Sequence, residues 1–257
     1  MLLAFDLDNT VVTRAHDIPD PIVEAIETAR SAGHLVTILT GRPHAAAVRF
    51  VDQLGVAPGP YSVNHGALVF GADGDVIKRR RMSGDHVRTI LASRHVTEGV
   101  PFACIVDDAL FVDDPDDIRW HWAHTSNRRV ERFEHDRIVE ADKIVFGSNG
   151  ASAEILASLE GVVPLTPYLW GDGYLELTAE DADKGAALAL IADVLGVERR
   201  DTIAFGDGTN DVSMLRWAGH AVAVGPDAAP EVLDAADEHI DAPEELGVAR
   251  WLDRLLG

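Results

Sequence analysis

Leu2-Leu3-Ala4-Phe5-Asp6-Leu7-Asp8-Asn9-Thr10 opens the chain, and its reading decides the fold. Four consecutive apolar residues bounded by an acid predict a short strand covered on both faces, since a strand with one wet face would alternate. Asp6 and Asp8, two apart at its end, would point the same way if the strand continues through them. From Pro21 to Ala32 the apolar residues Ile22, Val23, Ile26 and Ala29 follow a helical period. Pro21 suits the first turn and Gly33 the stop. Leu35 to Leu39 is the next apolar run, followed by Thr40-Gly41-Arg42-Pro43 and a helical stretch to Leu54. This β-α-β-α order predicts a parallel sheet with helices on its faces.

The far end repeats the pattern. Lys184 to Leu195 reads as an amphipathic helix stopped by Gly196, and Thr202 to Phe205 as a strand running into Gly206-Asp207-Gly208-Thr209-Asn210-Asp211. A helix to Ala218, a strand at Ala221–Val224, a short helix from Pro230 to Ala236 and a closing helix from Gly247 to Leu256 follow. Between about Met82 and about Leu177 the pattern changes. Strand-like runs (Phe102–Val106, Leu110–Val112, Lys143–Phe146, Tyr174–Leu177) mix with helical ones (Gly84–His95, Ala151–Leu159). This is the signature of an α+β unit with an antiparallel sheet. The expected architecture is therefore α/β. A Rossmann-like parallel-sheet core of residues 1–81 and 178–257 is interrupted by an inserted α+β domain at 82–177.

Composition narrows the function. Of 257 residues 47% are hydrophobic and 25% charged, a globular balance. The formal charge of −21 disfavours nucleic acid and anionic membrane as partners. Cys104 is the single cysteine, so an intrachain disulfide and a cysteine zinc site are excluded, and it reads as buried apolar filler. Asp6 interrupts the first apolar run too early for a signal peptide, and no run approaches the ~20 apolar residues of a membrane span. A cytoplasmic protein is expected. Its oligomeric state is not legible.

Four segments carry chemistry: Asp6-Leu7-Asp8-Asn9-Thr10, Leu39-Thr40-Gly41-Arg42, Asp183-Lys184-Gly185 and Gly206-Asp207-Gly208-Thr209-Asn210-Asp211. In an open α/β sheet, loops at the carboxyl ends of the strands form the ligand site. Asp6, Asp8, Asp207 and Asp211 would repel one another unless a cation sits among them, and Mg²⁺ suits such oxygen ligands. Thr40, Lys184 and backbone amides near Leu7, Gly41 and Gly208 suit phosphate oxygens. Thr40 equally suits the cap of the helix beginning near Pro43. Acids, hydroxyl, ammonium and metal around one point are what phosphoryl transfer requires.

These motifs, in this order, resemble the haloacid dehalogenase-like hydrolases. Asp6-x-Asp8-x-Thr10 is similar to the family's first motif, Thr40 to the second, Lys184 to the third and the Gly206–Asp211 run to the fourth. The insertion resembles the C2-type cap of the Cof-like subgroup, as does Tyr174-Leu175-Glu176-Leu177. The resemblance implies Asp6 as nucleophile and, with the backbone carbonyl of Asp8, a Mg²⁺ ligand. It implies Asp8 as general acid/base, and Thr40, Gly41, Lys184 and Asn210 around the phosphoryl group. Asp207 would bind the metal directly, and Asp211 would orient the metal shell or Lys184. Where many Cof-like members have Gly, this chain has Asn9, and His65 takes the usual Asn slot in Asn64-His65-Gly66-Ala67.

Three further residues are candidate substrate contacts. Arg42 could reach the phosphate or lie on the surface, and His65 could touch substrate or be a satisfied loop histidine. Trp122, within Trp120-His121-Trp122-Ala123-His124, would share one face of a strand with Trp120 and His124. That face would be a substrate wall, or else a packed sheet face or a dimer contact. The run Arg79-Arg80-Arg81 reads as solvated. The expected function is a Mg²⁺-dependent phosphatase acting on a small phosphorylated metabolite, with a sugar phosphate favoured, through an aspartyl-phosphate. A phosphomutase and a non-catalytic phosphometabolite-binding module are the alternatives.

Overall fold

The structure, a computed structural model, describes all residues except 94–97, 126–127, 135–139, 171–172 and 181, together with the side chains of 124 and 125. The chain runs β1 (Leu2–Phe5), α1 (Asp20–Ser31), β2 (Leu35–Ile38), α2 (His44–Gln53), then β3 (Tyr61–Val63), β4 (Leu68–Phe70) and β5 (Val76–Arg79). Next come α3 (Gly84–Leu91), β6 (Phe102–Val106), β7 (Ala109–Val112), α4 (His121–Thr125), β8 (Val130–Arg132), β9 (Lys143–Gly147), α5 (Ser152–Leu159), β10 (Leu165–Trp170) and β11 (Tyr174–Ala179). It closes with α6 (Lys184–Leu195), β12 (Thr202–Gly206), α7 (Val212–Trp217), β13 (His220–Val224), α8 (Pro230–Leu233), β14 (Glu238–Ile240) and α9 (Gly247–Leu256). Two compact units result. One comprises Met1–Arg42, Ala47–Arg79 and Asp183–Gly257, the other Pro43–Ala46 and Arg80–Ala182.

The first unit is built on a parallel sheet in the order β14-β13-β12-β1-β2. β1 is central, with Leu2 opposite Thr202 on one side and Leu35 on the other. Its apolar run is explained by burial on both faces. Leu3 and Phe5 pack with Ile22 and Ile26 of α1 and Trp251 of α9, while Leu2 and Ala4 pack with Leu188 and Ile191 of α6 and Met214 of α7. α6 starts where the sequence indicates: the Asp183 side chain accepts from the amide of Ala186, and Gly196 ends the helix at φ 67°. β3, β4 and β5 form a separate antiparallel sheet.

β1 covers the apolar run as expected and ends at Phe5, so the strand does not continue through Asp6 and Asp8. It stops because the carbonyl of Leu7 accepts from the amides of Thr10, Val11 and Val12 and pulls the chain into a tight loop. Asp6 and Asp8 thus leave from a strand end and a loop, not from one strand face.

In the second unit a six-stranded sheet runs β10-β11-β9-β6-β7-β8. It is antiparallel except for the parallel pair β7 and β8. Phe102, Cys104, Ile144, Phe146, Leu175 and Leu177 pack with α3 and α5 on one face, while Ala103, Ile105 and Val145 face Trp120 and Ala123 on the other. Cys104 is buried as expected, and burial pushes its thiol up to about 12.

The Trp120–His124 segment is not a strand. Parallel neighbours need a crossover connection, and between β7 and β8 this segment supplies it as a 3₁₀ turn (Ile118–Trp120) followed by α4. Asp117 caps the turn by accepting from the amide of Arg119. In a helix Trp120 and Trp122 diverge by about 200°, so they share no face. Trp120 is fully buried, whereas Trp122 meets the edge of Trp170 with ring centroids 5.9 Å apart and lies under the Arg128 guanidinium. The expected orientation of His124 falls on a side chain outside those described. Arg81 departs from the solvated reading too, forking to Asp107 and Asp142. Among the described residues, no helix is long and apolar enough to cross a membrane.

Candidate active site

Three strand ends and one helix start of the first unit bring the motif residues together. β1 leads into Asp6, whose amide still donates to the carbonyl of Phe205 on β12. That bond places Asp6 beside the loop following β12. Lys184 reaches the same point from the first turn of α6. Its ammonium donates to Oδ1 of Asp6 and Oδ1 of Asp211, each at 2.5 Å. Lys184 and Asp211 are fully buried and Asp6 nearly so.

Asp211 is committed on both oxygens. Its Oδ2 accepts from the amides of Asp207 at 3.1 Å and Gly208 at 3.0 Å. This folds the 206–211 loop back on itself, a closure helped by Gly206, where any Cβ would overlap the Asp211 side chain. Oxygens of Asp6, Asp207 and Asp211 all lie within 4.8 Å of one another.

Burial pushes the Asp6 carboxyl well above its ordinary range. Lys184 pulls the other way, while Asp211, Asp207 and Asp8 add to the rise. Asp207 is raised to about 7 by burial and by Asp211, against the hydrogen bond from Asn9 and the charge of Lys184. Burial works against the charge of Lys184, but Asp211 and Asp6 outweigh it and hold the ammonium above its ordinary value. Two desolvated carboxylates with raised pKa values beside a third, sharing one ammonium, are a donor set suited to a hard divalent cation. Asp211, whose two oxygens are already engaged, is geometrically better suited to orienting Lys184 and the 206–211 loop than to ligation.

Thr40, Arg42 and His65 belong to the same unit as this centre. Thr40 is fully buried after β2, and its hydroxyl accepts from the amide of Arg42 at 3.1 Å. It therefore closes the Thr40–Arg42 turn and does not cap α2, which begins four residues later. Arg42 is neither free on the surface nor pointed away: its guanidinium forks onto both oxygens of Asp8. His65 is buried, at φ 56° between two other left-handed residues, Asn64 and Gly66. Its ring covers Gly41, where any Cβ would overlap it. Its Nδ1 lies 3.4 Å from the Asn210 amide nitrogen. Trp122 belongs to the second unit.

One contributor escaped the sequence reading. Asn9 donates from its side-chain amide to Oδ2 of Asp207 at 3.2 Å, from a backbone at φ 53°. The signal was present, since Asn is among the few residues that tolerate a left-handed turn position.

The chain is similar to known proteins over nearly its whole length. A family model described as haloacid dehalogenase-like hydrolase matches residues 3–252. A 5-amino-6-(5-phospho-D-ribitylamino)uracil phosphatase of Bacillus subtilis is 28% identical, over 98% of this chain and 96% of that protein. A phosphoglycolate phosphatase of Methanothermobacter thermautotrophicus is 26% identical, over 99% and 98%. The solved structure of a subclass IIB sugar phosphatase superposes with a TM-score of 0.83 at 25% identity, over 99% of this chain and 98% of that one.

Proposed function

The chain belongs to the haloacid dehalogenase-like hydrolases, and on that footing we propose that it is a Mg²⁺-dependent phosphatase of a small phosphorylated metabolite, with sugar phosphates the favoured class. The observation that carries this reading is the buried Lys184 ammonium held between Asp6 and Asp211, with Asp207 beside them. The names of the relatives, phosphatases of small phosphorylated compounds, support it.

In this reading Lys184 anchors one oxygen of Asp6, and the carboxylate attacks phosphorus. The bond from phosphorus to the leaving oxygen breaks as Asp8 delivers a proton to that oxygen. A water then attacks the aspartyl-phosphate, Asp8 takes a proton from it, and the bond from phosphorus to Asp6 breaks to release phosphate. Thr40, the Gly41 amide, Lys184 and Asn210 would hold the phosphoryl oxygens. Asp6, the backbone carbonyl of Asp8 and Asp207 would hold Mg²⁺, with Asp211 orienting that group. The ion, when bound, would neutralise charge on the phosphoryl oxygens. Residues 82–177 would act as a cap that excludes water and selects the leaving group, and the protein would work in the cytoplasm without nucleic-acid or membrane partners.

A screen of phosphorylated metabolites for phosphate release, with and without Mg²⁺, tests the proposal. Release from at least one of them, lost on chelation and lost in Asp6→Asn, is the expected result. Isomerised product without free phosphate would assign a mutase instead, and binding without turnover would refute an enzyme.

A further inference from the structure

Asp8 and Arg42 lie 34 positions apart and meet in a two-point contact. Nε of Arg42 donates to Oδ2 of Asp8 at 2.8 Å, and Nη2 donates to Oδ1 at 2.5 Å. A guanidinium fork of this kind fixes the plane of a carboxyl group as well as its position. Arg42 is itself fixed on several sides. Its amide donates to the Thr40 hydroxyl, its carbonyl accepts from the amide of Asn64 at 2.9 Å, and its guanidinium lies 4.7 Å from the ring centroid of buried Phe50.

The exposures show what this arrangement contributes. The Arg42 side chain is 17% exposed but that of Asp8 is 47% exposed. An ion pair so wet adds little stability. A half-exposed aspartate would otherwise turn freely about its last torsion, which is broad and roughly two-fold. The pair therefore supplies orientation. The edge of Arg42 that holds Asp8, Nε and Nη2, is also the edge that would grip a phosphate.

We propose that Arg42 is the positioning residue of Asp8, fixing the plane in which that carboxyl group delivers and recovers its proton, and is not a ligand of the phosphoryl group. This rests on the reading of Asp8 as acid/base. That role needs one carboxyl group to serve the leaving oxygen and then the incoming water, so its orientation matters in both half-reactions.

A kinetic double-mutant cycle of Arg42→Ala, Asp8→Asn and the pair tests the proposal. It uses p-nitrophenyl phosphate and an alkyl phosphate that the wild type hydrolyses, after thermal melting confirms that each variant is folded. Arg42→Ala should lower kcat ~10–100-fold, the scale for a misplaced catalytic group. The loss should be larger for the alkyl ester, whose poorer leaving group depends more on the proton. KM and the inhibition constant of inorganic phosphate should stay within about twofold, as expected when ground-state binding is untouched. The double variant should be no slower than Asp8→Asn alone, because Arg42 acts only through Asp8. Arg42→Lys, which keeps the charge but not the fork, should recover only part of the loss. Additive losses in the cycle, or inhibition by phosphate weakened about tenfold or more by Arg42→Ala, would overturn the assignment while leaving the phosphatase reading intact. A wild type that releases phosphate from no substrate would overturn both.

Discussion

The ammonium of Lys184 lies 2.5 Å from Oδ1 of Asp211, and neither side chain is exposed to solvent. A buried ion pair is costly to assemble and costlier to break on one side, because the remaining charge is left without compensation. Here the same ammonium also meets Asp6, so one lysine neutralises two buried acids.

Lys184→Met should therefore destabilise the protein by about 3–5 kcal/mol, the scale for removing one partner of a buried pair, and abolish turnover. Urea unfolding gives the first quantity and phosphate release the second. A variant as stable as the wild type would show that the acids stay protonated or solvated without the lysine.

Asp6→Asn should abolish turnover without a loss of stability. The amide cannot attack phosphorus. The folded state holds the Asp6 carboxyl well above its ordinary range, so the ionised side chain is disfavoured by folding near neutral pH, and a neutral amide should be tolerated. The variant should melt no lower than the wild type in chelator. Even a tenth of wild-type kcat, with contamination excluded, would refute the nucleophile role.

In the proposed metal site, Asp207 would link cation binding to pH. Its folded value of about 7 lies above the ordinary carboxylate range expected of the unfolded chain. Its contribution to stability is thus present at low pH and is lost as pH rises through about 7. In chelator, this group should make the protein less stable at about pH 8 than at about pH 6. Mg²⁺ should reverse the sign, since it competes with the proton and binds more tightly at the higher pH. Thermal melting with and without Mg²⁺ at the two values reads both effects. Asp207→Asn should flatten them.

Gly41→Ala should place a methyl group in the buried His65 ring. Overpacking of this kind costs about 1–3 kcal/mol, and the displaced ring should also disturb Asn210 and lower kcat. Adding His65→Ala should return much of the stability lost in the single variant. If the double variant is no better than Gly41→Ala, the strain lies in the backbone of the Thr40–Arg42 turn.

Local sequence was enough to read the parallel core and most of the residues that meet at its strand ends. A run such as Leu2–Phe5, too short for a helix and bounded by an acid, reads as a strand covered on both faces, and helix signals such as Asp183 and Gly196 are local, so neighbouring residues suffice to read them. Asp6, Thr40 and Asp207 were legible because strand ends in an open parallel sheet converge by construction, and Lys184 because it opens a helix whose start the sequence marks. The tertiary structure alone decided which side chains meet. Local chemistry could not reveal that Arg42 holds Asp8, that Asn9 holds Asp207, or that both oxygens of Asp211 are engaged, because those partners are brought together by sheet register and loop closure. Trp120 to His124 shows the same limit in secondary structure. Five residues of alternating pattern suit a strand, but the parallel pairing of β7 with β8 demands a crossover there, and the pairing of distant strands overrides a short local period.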